Sequence, residues 1–391
     1  MSEAQPPLVT IVTPSYNQAE FIRATIESVL TQDYPRIEYL VMDGGSSDGT
    51  AAIAAEYAGR LTFVSEADEG QSDAINKGFR RARGEILAWI NSDDVLLPGA
   101  VSAAVRAFAE APLAGAVYGE GYCIDREGRV TGRFAATEPF NLWRLNWVCD
   151  TILQQSAFFR RAAVEEVGWL RVSLHWSMDW DLLVRLGKRY GLHYTPEYLG
   201  CLREYGETKT ASGGGRRFRE LWSTLRRQTG RWWAPGCWYY GLDTYDKIWS
   251  AALRRVGLAW LGKRVFHLCR WKIDRVWLHA QGYYPGGWAG RRMFWMLPGG
   301  TRRVVVKGEI PAWAGAPSEQ RITLSAEGRV VASRTFGGRP FEWAVELPEG
   351  GPPDAVSLVF SAGWSVEAAP GLGIGGVRVS WRLLEICSAR A

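Results

Sequence analysis

The chain has no window of 18 uninterrupted apolar residues, so no membrane-spanning helix is expected. Its six cysteines (Cys123, Cys149, Cys201, Cys237, Cys269 and Cys387) are scattered without a C-x-x-C pair, which excludes the common zinc and redox motifs. They read as reduced and mostly structural. Met1 to Pro7 lacks a basic n-region and an apolar core, so no secretory signal is expected and the chain should stay in the cytosol. The first expected strand is not followed by the Gly-rich, Lys/Arg-bearing loop that would hold a triphosphate, which counts against nucleotidyl transfer. What is present, 391 residues with 47% apolar and 22% charged, is the profile of a folded protein of two or three domains.

The net charge of +5 conceals an asymmetry. Between Gly213 and Trp295 there are 16 Lys and Arg against 4 Asp and Glu, together with 10 of the 20 Trp. A basic, aromatic-rich block joined to acidic flanks has its own task.

From Leu8 to about Ala111 short buried strands alternate with amphipathic helices: Leu8 to Thr13, Phe21 to Thr31, Glu38 to Met42, Thr50 to Gly59, Leu61 to Ser65, Ser72 to Ala82 and Ile86 to Ile90. This alternation predicts an α/β domain with a parallel sheet covered on both faces, whose ligands bind at the carboxyl ends of the strands. Four polar motifs fall at those ends. They are Thr13-Pro14-Ser15-Tyr16-Asn17, Asp43 to Thr50, Glu66 to Gly70, and Asn91-Ser92-Asp93-Asp94. Singly, each is compatible with a turn or a helix cap. Turn chemistry alone does not account for four on one edge.

Asp93 and Asp94 follow the apolar run Ile86 to Ile90. Two adjacent carboxylates at a buried strand end repel one another and resist burial unless something positive sits beside them. Mg²⁺ or Mn²⁺, bridging carboxylate and nucleotide phosphates, meets that need. The rival reading is an Asp pair capping a helix that starts near Pro98.

The order of these motifs, with Gly70 to Gly78 and Met178-Asp179-Trp180-Asp181, resembles the family 2 glycosyltransferases over residues 8 to 210. These are inverting enzymes with the nucleotide-sugar Rossmann-like GT-A fold. The resemblance implies a UDP-sugar donor and places Pro14, Ser15, Tyr16 and Asn17 against the nucleotide, with Asp43 reading the base edge. It implies that Asp68, Asp73 and Lys77 border the nucleotide and diphosphate. Asp93 matches the last residue of the D-x-D metal motif, whose first position is here Asn91. One direct carboxylate ligand is therefore expected, with Asp94 and Asn91 facing the donor or orienting the site. Asp179 matches the general base, and Gln155 and Asp181 lie on the acceptor side. Taken by itself, Asp179 is equally suited to cap the helix Trp180 to Tyr190. Arg203 and Lys209 match a segment over the diphosphate, in which Glu204-Tyr205 stands where a His is common.

Within residues 216–295, Trp249, Leu253, Val256 and Trp260 recur at helical spacing while Arg254, Arg255, Lys263 and Arg264 fall mainly elsewhere on the wheel. Such a segment suits an anionic bilayer surface on the inner face of the cell membrane, or else the core between two domains. Nucleic acid is not expected as a partner, because no recognised module accompanies the charge. From Arg302 short alternating strands predict an all-β, jelly-roll-like sandwich, in which Trp313, Trp343 and Trp364 either stack on sugars or fill the core. The expected domains are 1–212, 213–300 and 301–391. The function expected is metal-dependent sugar transfer to a glycan or lipid-linked acceptor of surface polysaccharide, the rival being a non-catalytic glycan-binding scaffold that keeps the fold.

Overall fold

The structure, a computed structural model, describes residues 5–134, 136–206, 209, 213–232, 234–242, 244, 283–284, 288–289, 291–298, 301–310, 318–326, 329–337, 340–348, 355–362, 366–367, 378–379 and 381–390. Trp249, Leu253, Val256, Trp260 and the neighbouring basic residues, Trp313, Trp364 and residues 371–377 lie outside the described residues. The chain divides into two compact units, one of residues 1–137, 150–186 and 192–228, the other of 138–149, 187–191 and 229–391. The first unit thus runs past the expected boundary at 212 and leaves out 138–149.

The first unit contains strands β1 (Val9–Ser15), β2 (Ile37–Asp43), β3 (Thr62–Ser65), β4 (Ile86–Trp89), β5 (Val95–Leu96), β6 (Ala116–Ile124), β7 (Val130–Arg133), β8 (Ala157–Arg160) and β9 (Leu192–Arg203). Their order is β3-β2-β1-β4-β8-β6-β9-β5, with β7 on β6. Neighbours from β3 to β4 are parallel, β8 is antiparallel to β4 and β6, and β6 and β9 are again parallel. The parallel run from β3 to β4 is the one expected of an α/β domain of GT-A type; the antiparallel β8 makes the full sheet mixed, where the sequence pattern predicted a parallel one. All seven residues of β1 are buried, because helices cover both faces and leave no polar side to alternate with.

The helices are α1 (Ile22–Leu30), α2 (Thr50–Ala55), α3 (Gln71–Arg81), α4 (Ala100–Glu110), α5 (Leu142–Trp147), α6 (Arg161–Val167), α7 (Met178–Arg189) and α8 (Gly214–Thr229), of which α5 belongs to the second unit. Strand and helix starts agree with the sequence pattern to within a residue or two. That precision comes from apolar runs bounded by turn residues.

The second unit carries β10 (Tyr283–Tyr284), β11 (Trp288–Ala289), β12 (Arg292–Pro298), β13 (Thr301–Glu309), β14 (Glu319–Ala326), β15 (Arg329–Gly337), β16 (Phe341–Glu346), β17 (Ala355–Ala362), β18 (Val366–Glu367), β19 (Arg378–Val379) and β20 (Trp381–Arg390). Two antiparallel sheets, β10-β11-β20-β13-β16 and β12-β17-β14-β15, share one apolar core, and β18 pairs with β19. Val304, Val306 and Val345 enter that core from one sheet and Trp295, Leu324 and Phe360 from the other. Trp343 is buried there, edge-on to Phe336 at 5.4 Å, so it fills the core.

Close packing of α3 on the sheet depends on Gly78. A methyl group there would stand 2.5 Å from Val12 Cγ1 and 3.1 Å from Met42 Cγ. Gly78→Ala is therefore expected to destabilise the first unit by about 1–3 kcal/mol despite its better helix propensity, as measured by urea unfolding. Equal or greater stability would refute this account of the packing.

Candidate active site

The carboxyl ends of β2, β1 and β4 lie side by side. Ser15 pairs with Asp43 across one edge of β1, and Ile90 N donates to Val12 O across the other, 3.0 Å away. Strand spacing alone therefore sets the Asp43 loop and the acidic loop on either side of the β1 exit, about 10 Å apart.

On the Asp43 side the two loops are stitched together. Asn17 takes the left-handed conformation at φ 52°, which Asn tolerates better than most residues. Its main-chain N–H donates to Ser46 Oγ (2.8 Å) and its Oδ1 accepts from Ser47 N (2.9 Å). Asp43 is buried and accepts from Ser46 N (2.9 Å), Gly45 N (3.2 Å), Ser65 Oγ (2.6 Å) and Ser46 Oγ. Tyr16 is 64% exposed, presenting an aromatic face at the rim. Ser15 Oγ is buried there with no hydrogen-bond partner among the described residues. Gly44 is needed for close approach: a Cβ would lie 2.5 Å from Asp68 Oδ2 and 3.4 Å from the Tyr16 ring. Asp68 itself accepts from Gly70 N at 2.8 Å. Lys77 Nζ donates to Ala67 O (2.7 Å) and pairs with Asp73 (3.0 Å), so both residues brace the loop before α3.

The acidic loop is held from every side. Thr25 Oγ1 of α1 donates to Ser92 O and Asp94 O at 2.9 and 2.7 Å. Asp94 is fully buried, and its carboxylate accepts from Arg203 N (2.8 Å), Asn91 Nδ2 (3.0 Å) and Gln155 Nε2. Asp93 Oδ2 accepts from the Tyr205 hydroxyl at 2.9 Å. Burial, and for Asp94 also the neighbouring Asp93 charge, pushes both carboxyls above the ordinary range. The Arg203 side chain is buried beneath, stacked over Phe21 at 5.1 Å, and donates to the main-chain carbonyls of Asp93 (2.6 Å), Asp125 (2.9 Å) and Arg126 (2.8 Å). The sequence suggested Arg203 over a diphosphate; its guanidinium instead clamps the loop from behind, because three carbonyls converge on it.

The third group lies around α7. Asp179 is the second residue of α7, and its Oδ1 accepts from Trp180 N at 2.8 Å. Burial raises its carboxyl, and the charges of Lys209 and Arg217 offset part of that rise. Asp150, absent from the sequence expectations, is close enough for its own carboxyl to be raised well above normal by burial and by the Asp179 charge; its Oδ1 accepts from Ile152 N at 3.0 Å. Asp181 faces another way. It is buried and tied to Arg185 (2.8 Å), Arg171 (3.0 Å) and Arg227 (3.7 Å).

Consecutive residues of α3 join these parts. Gln71 Nε2 donates to Asn91 Oδ1 (2.7 Å) while its Oε1 accepts from Lys209 Nζ (2.9 Å). Ser72 Oγ reaches Leu174 O (2.9 Å) and Met178 Sδ (2.8 Å), and Asn76 exchanges hydrogen bonds with the Leu170 main chain. The acidic loop and the start of α7 are thus brought to one place. Sequence reasoning missed Gln71, Asp150 and Tyr205 as site residues. The sequence carried a signal for Gln71, inside the Gly70 to Gly78 motif, and for Tyr205, in the pair standing where a His is common, but none for Asp150.

The donor set fits one divalent cation, with a single protein carboxylate. Asp94 has three internal donors on its oxygens, Asn91 is neutral, and Asp93 Oδ1 remains next to a buried like charge. No cluster of three His, Cys, Asp or Glu exists among the described residues, so phosphate oxygens and water would complete the coordination.

Residues 10–168 match the sequence model for glycosyl transferase family 2. An uncharacterised glycosyltransferase of Rickettsia prowazekii is 26% identical over 230 residues, 56% of this chain and 71% of the relative. Chondroitin synthase of Escherichia coli is 36% identical over 127 residues, 32% of this chain and 18% of that protein. Among solved structures, the mannosyltransferase PcManGT of Pyrobaculum calidifontis in complex with GDP-Man and Mn²⁺ is 22% identical and covers 71% of this chain and 84% of that one, at a TM-score of 0.47. The stretch that matches the family 2 glycosyltransferase model, residues 10–168, lies mostly in the first unit and carries the motifs at β1, β2 and β4.

Proposed function

We propose that the protein moves a sugar from a UDP-sugar to a hydroxyl of a glycan or lipid-linked acceptor in surface polysaccharide synthesis, by single displacement with inversion. The reading is supported by the Asp43 and Asp93 loops flanking the β1 exit, with Gln71 linking Asn91 to Lys209, whose charge acts on Asp179 at the start of α7. Tyr16 offers its exposed ring to the base, whose imide N–H is read by Asp43, while Ser15 Oγ supplies an unused hydrogen-bonding group beside it. Asp68, Asp73 and Lys77 keep the rim of this pocket in shape, and Lys209 lies toward the diphosphate.

Asp93 would hold Mg²⁺ or Mn²⁺, with Asp94 and Asn91 fixing its direction from behind. Bound there, the cation offsets the charge that grows on the departing diphosphate. Asp179 takes the proton of the acceptor hydroxyl as that oxygen bonds to the anomeric carbon and the bond from that carbon to the diphosphate oxygen breaks. Asp150 beside it disfavours the ionised form, which raises the proton affinity of the pair. Gln155 and Asp181 support the acceptor side, the first through Asp94 and the second through its three arginines.

Asp93→Ala and Asp179→Asn should each lower transfer by about 100-fold or more while the melting temperature stays within a few degrees. A panel of nucleotide sugars, read by nucleoside diphosphate release, supplies the assay. Asp93→Ala should also abolish the Mn²⁺-dependent part of the thermal shift with UDP, and Asp179→Asn should keep it. Near wild-type rates in either variant would sink that residue's role.

The pH dependence has a defined sign. A carboxyl whose pKa is raised on folding makes the folded state bind more protons than the unfolded one, so stability falls as pH rises from the unfolded toward the folded pKa. Asp150→Asn should therefore be more stable than wild type at pH 8 and equal to it near pH 4, while transfer slows about tenfold. A urea series at the two pH values checks this; no stability difference at pH 8 would contradict the assignment.

The acceptor's membrane is the remaining partner. No helix among the described residues is long and apolar enough to cross a membrane. The basic segment 216–295 provides surface attachment, beginning with Arg216, Arg219 and Arg226, which are exposed on α8. Vesicles containing anionic lipid should carry the protein upward in flotation at moderate salt, and neutral vesicles should not. Failure to float with anionic lipid would remove this part of the proposal.

A further inference from the structure

Glu220, on α8, reaches across to the segment that leads into α7. Its Oε1 accepts from Trp176 N (2.7 Å), Ser177 N (2.9 Å) and Ser177 Oγ (2.9 Å), and its Oε2 accepts from His175 N (2.9 Å). One helical turn later Thr224 Oγ1 shares a hydrogen bond with Ser177 Oγ at 2.9 Å. These amides lie just before α7, whose first intrahelical carbonyl is Ser177 O, and the helix dipole favours an anion close by. A carboxylate that gathers three consecutive amides fixes that segment with charge-assisted bonds.

The Asp179 carboxylate accepts from Trp180 N beside it in α7, and Glu220, more than 40 residues away in sequence, holds the amides just before that helix. The same clamp extends to Lys209, because the Trp176 indole N–H donates to Lys209 O at 3.0 Å. Asp179 and Lys209 thus both adjoin a segment that Glu220 fixes.

We propose that Glu220 is a positioning residue for transfer, holding the start of α7 so that Asp179 meets the acceptor hydroxyl. The inference rests on Asp179 being the base. A carboxylate displaced by about 1 Å loses on the order of 100-fold in rate while the Asp43 and Asp93 loops, which Glu220 does not contact, keep their hold on the nucleotide and metal. The signature is a loss in kcat without a matching loss of nucleotide affinity.

The test compares the full chain with Glu220→Ala, Glu220→Gln and Asp179→Asn. Glu220→Ala should lower kcat about 100-fold and leave the Kd for UDP with Mn²⁺ within about threefold. In Glu220→Gln the amide oxygen can still accept three of the four hydrogen bonds, so kcat should return to within about tenfold of wild type. Wild-type kcat in Glu220→Ala, with Asp179→Asn inactive, would overturn the proposal and leave the base standing. Wild-type turnover in Asp179→Asn would instead overturn the base. If nucleotide affinity falls in proportion to kcat in both Glu220 variants, or if both unfold, Glu220 merely supports the fold and the proposal fails.

Discussion

Two adjacent carboxylates in the loop after β4, Asp94 buried and Asp93 partly so, set the terms for everything around them. Neither Asp93 nor Asp94 can be ionised without cost in that position, and the surrounding chain is arranged to supply donors rather than more acid. Thr25 grips the loop backbone, Gln155 and Arg203 N feed Asp94, and the Tyr205 hydroxyl feeds Asp93. The Arg203 guanidinium adds positive charge beneath without touching either carboxylate, since its N–H groups end on backbone carbonyls. Asn91 belongs to this logic. A carboxylate at that place could accept from Gln71 but could not donate to Asp94, and it would add a third like charge.

The same constraint explains why α3 carries so many polar contacts. Its first turn must deliver Gln71 to the acidic loop and to Lys209 while Ser72 and Asn76 secure the segment before α7. Gly78 lets the helix sink onto Val12 and Met42, close enough for these short side chains to reach. Helix placement and polar bonding are therefore one requirement: a helix held further off the sheet would leave Asn76 and Ser72 short of their partners.

Much of this was legible in the sequence because the signals were local. Runs such as Val9 to Thr13 can only be strands buried on both faces, and each ends in a polar motif whose place on the sheet edge follows from connectivity. What sequence could not supply were pairings between distant residues. Nothing near Asp179 announces that the segment before its helix is held by Glu220, and nothing near Arg203 says that three carbonyls will absorb its guanidinium. Asp150 has no motif and emerges only because the fold places it beside Asp179. Local readings of charged residues leave their partners open, and in this domain the partners decide between support and chemistry.

The two faces of α8 give the basic block a meaning that composition alone does not. Leu221, Thr224 and Leu225 are buried, and Glu220 lies on the side that carries Thr224, while Arg219 and Arg226 are exposed on another. One acidic residue in a stretch of arginines would be unremarkable on a solvated helix, where it would serve only to dilute charge. Here its carboxylate holds the segment that leads into α7, so reversing or deleting its charge cannot be offset by its basic neighbours. A single sixteen-residue helix thus combines arginines turned outward with a carboxylate that fixes the segment before Asp179.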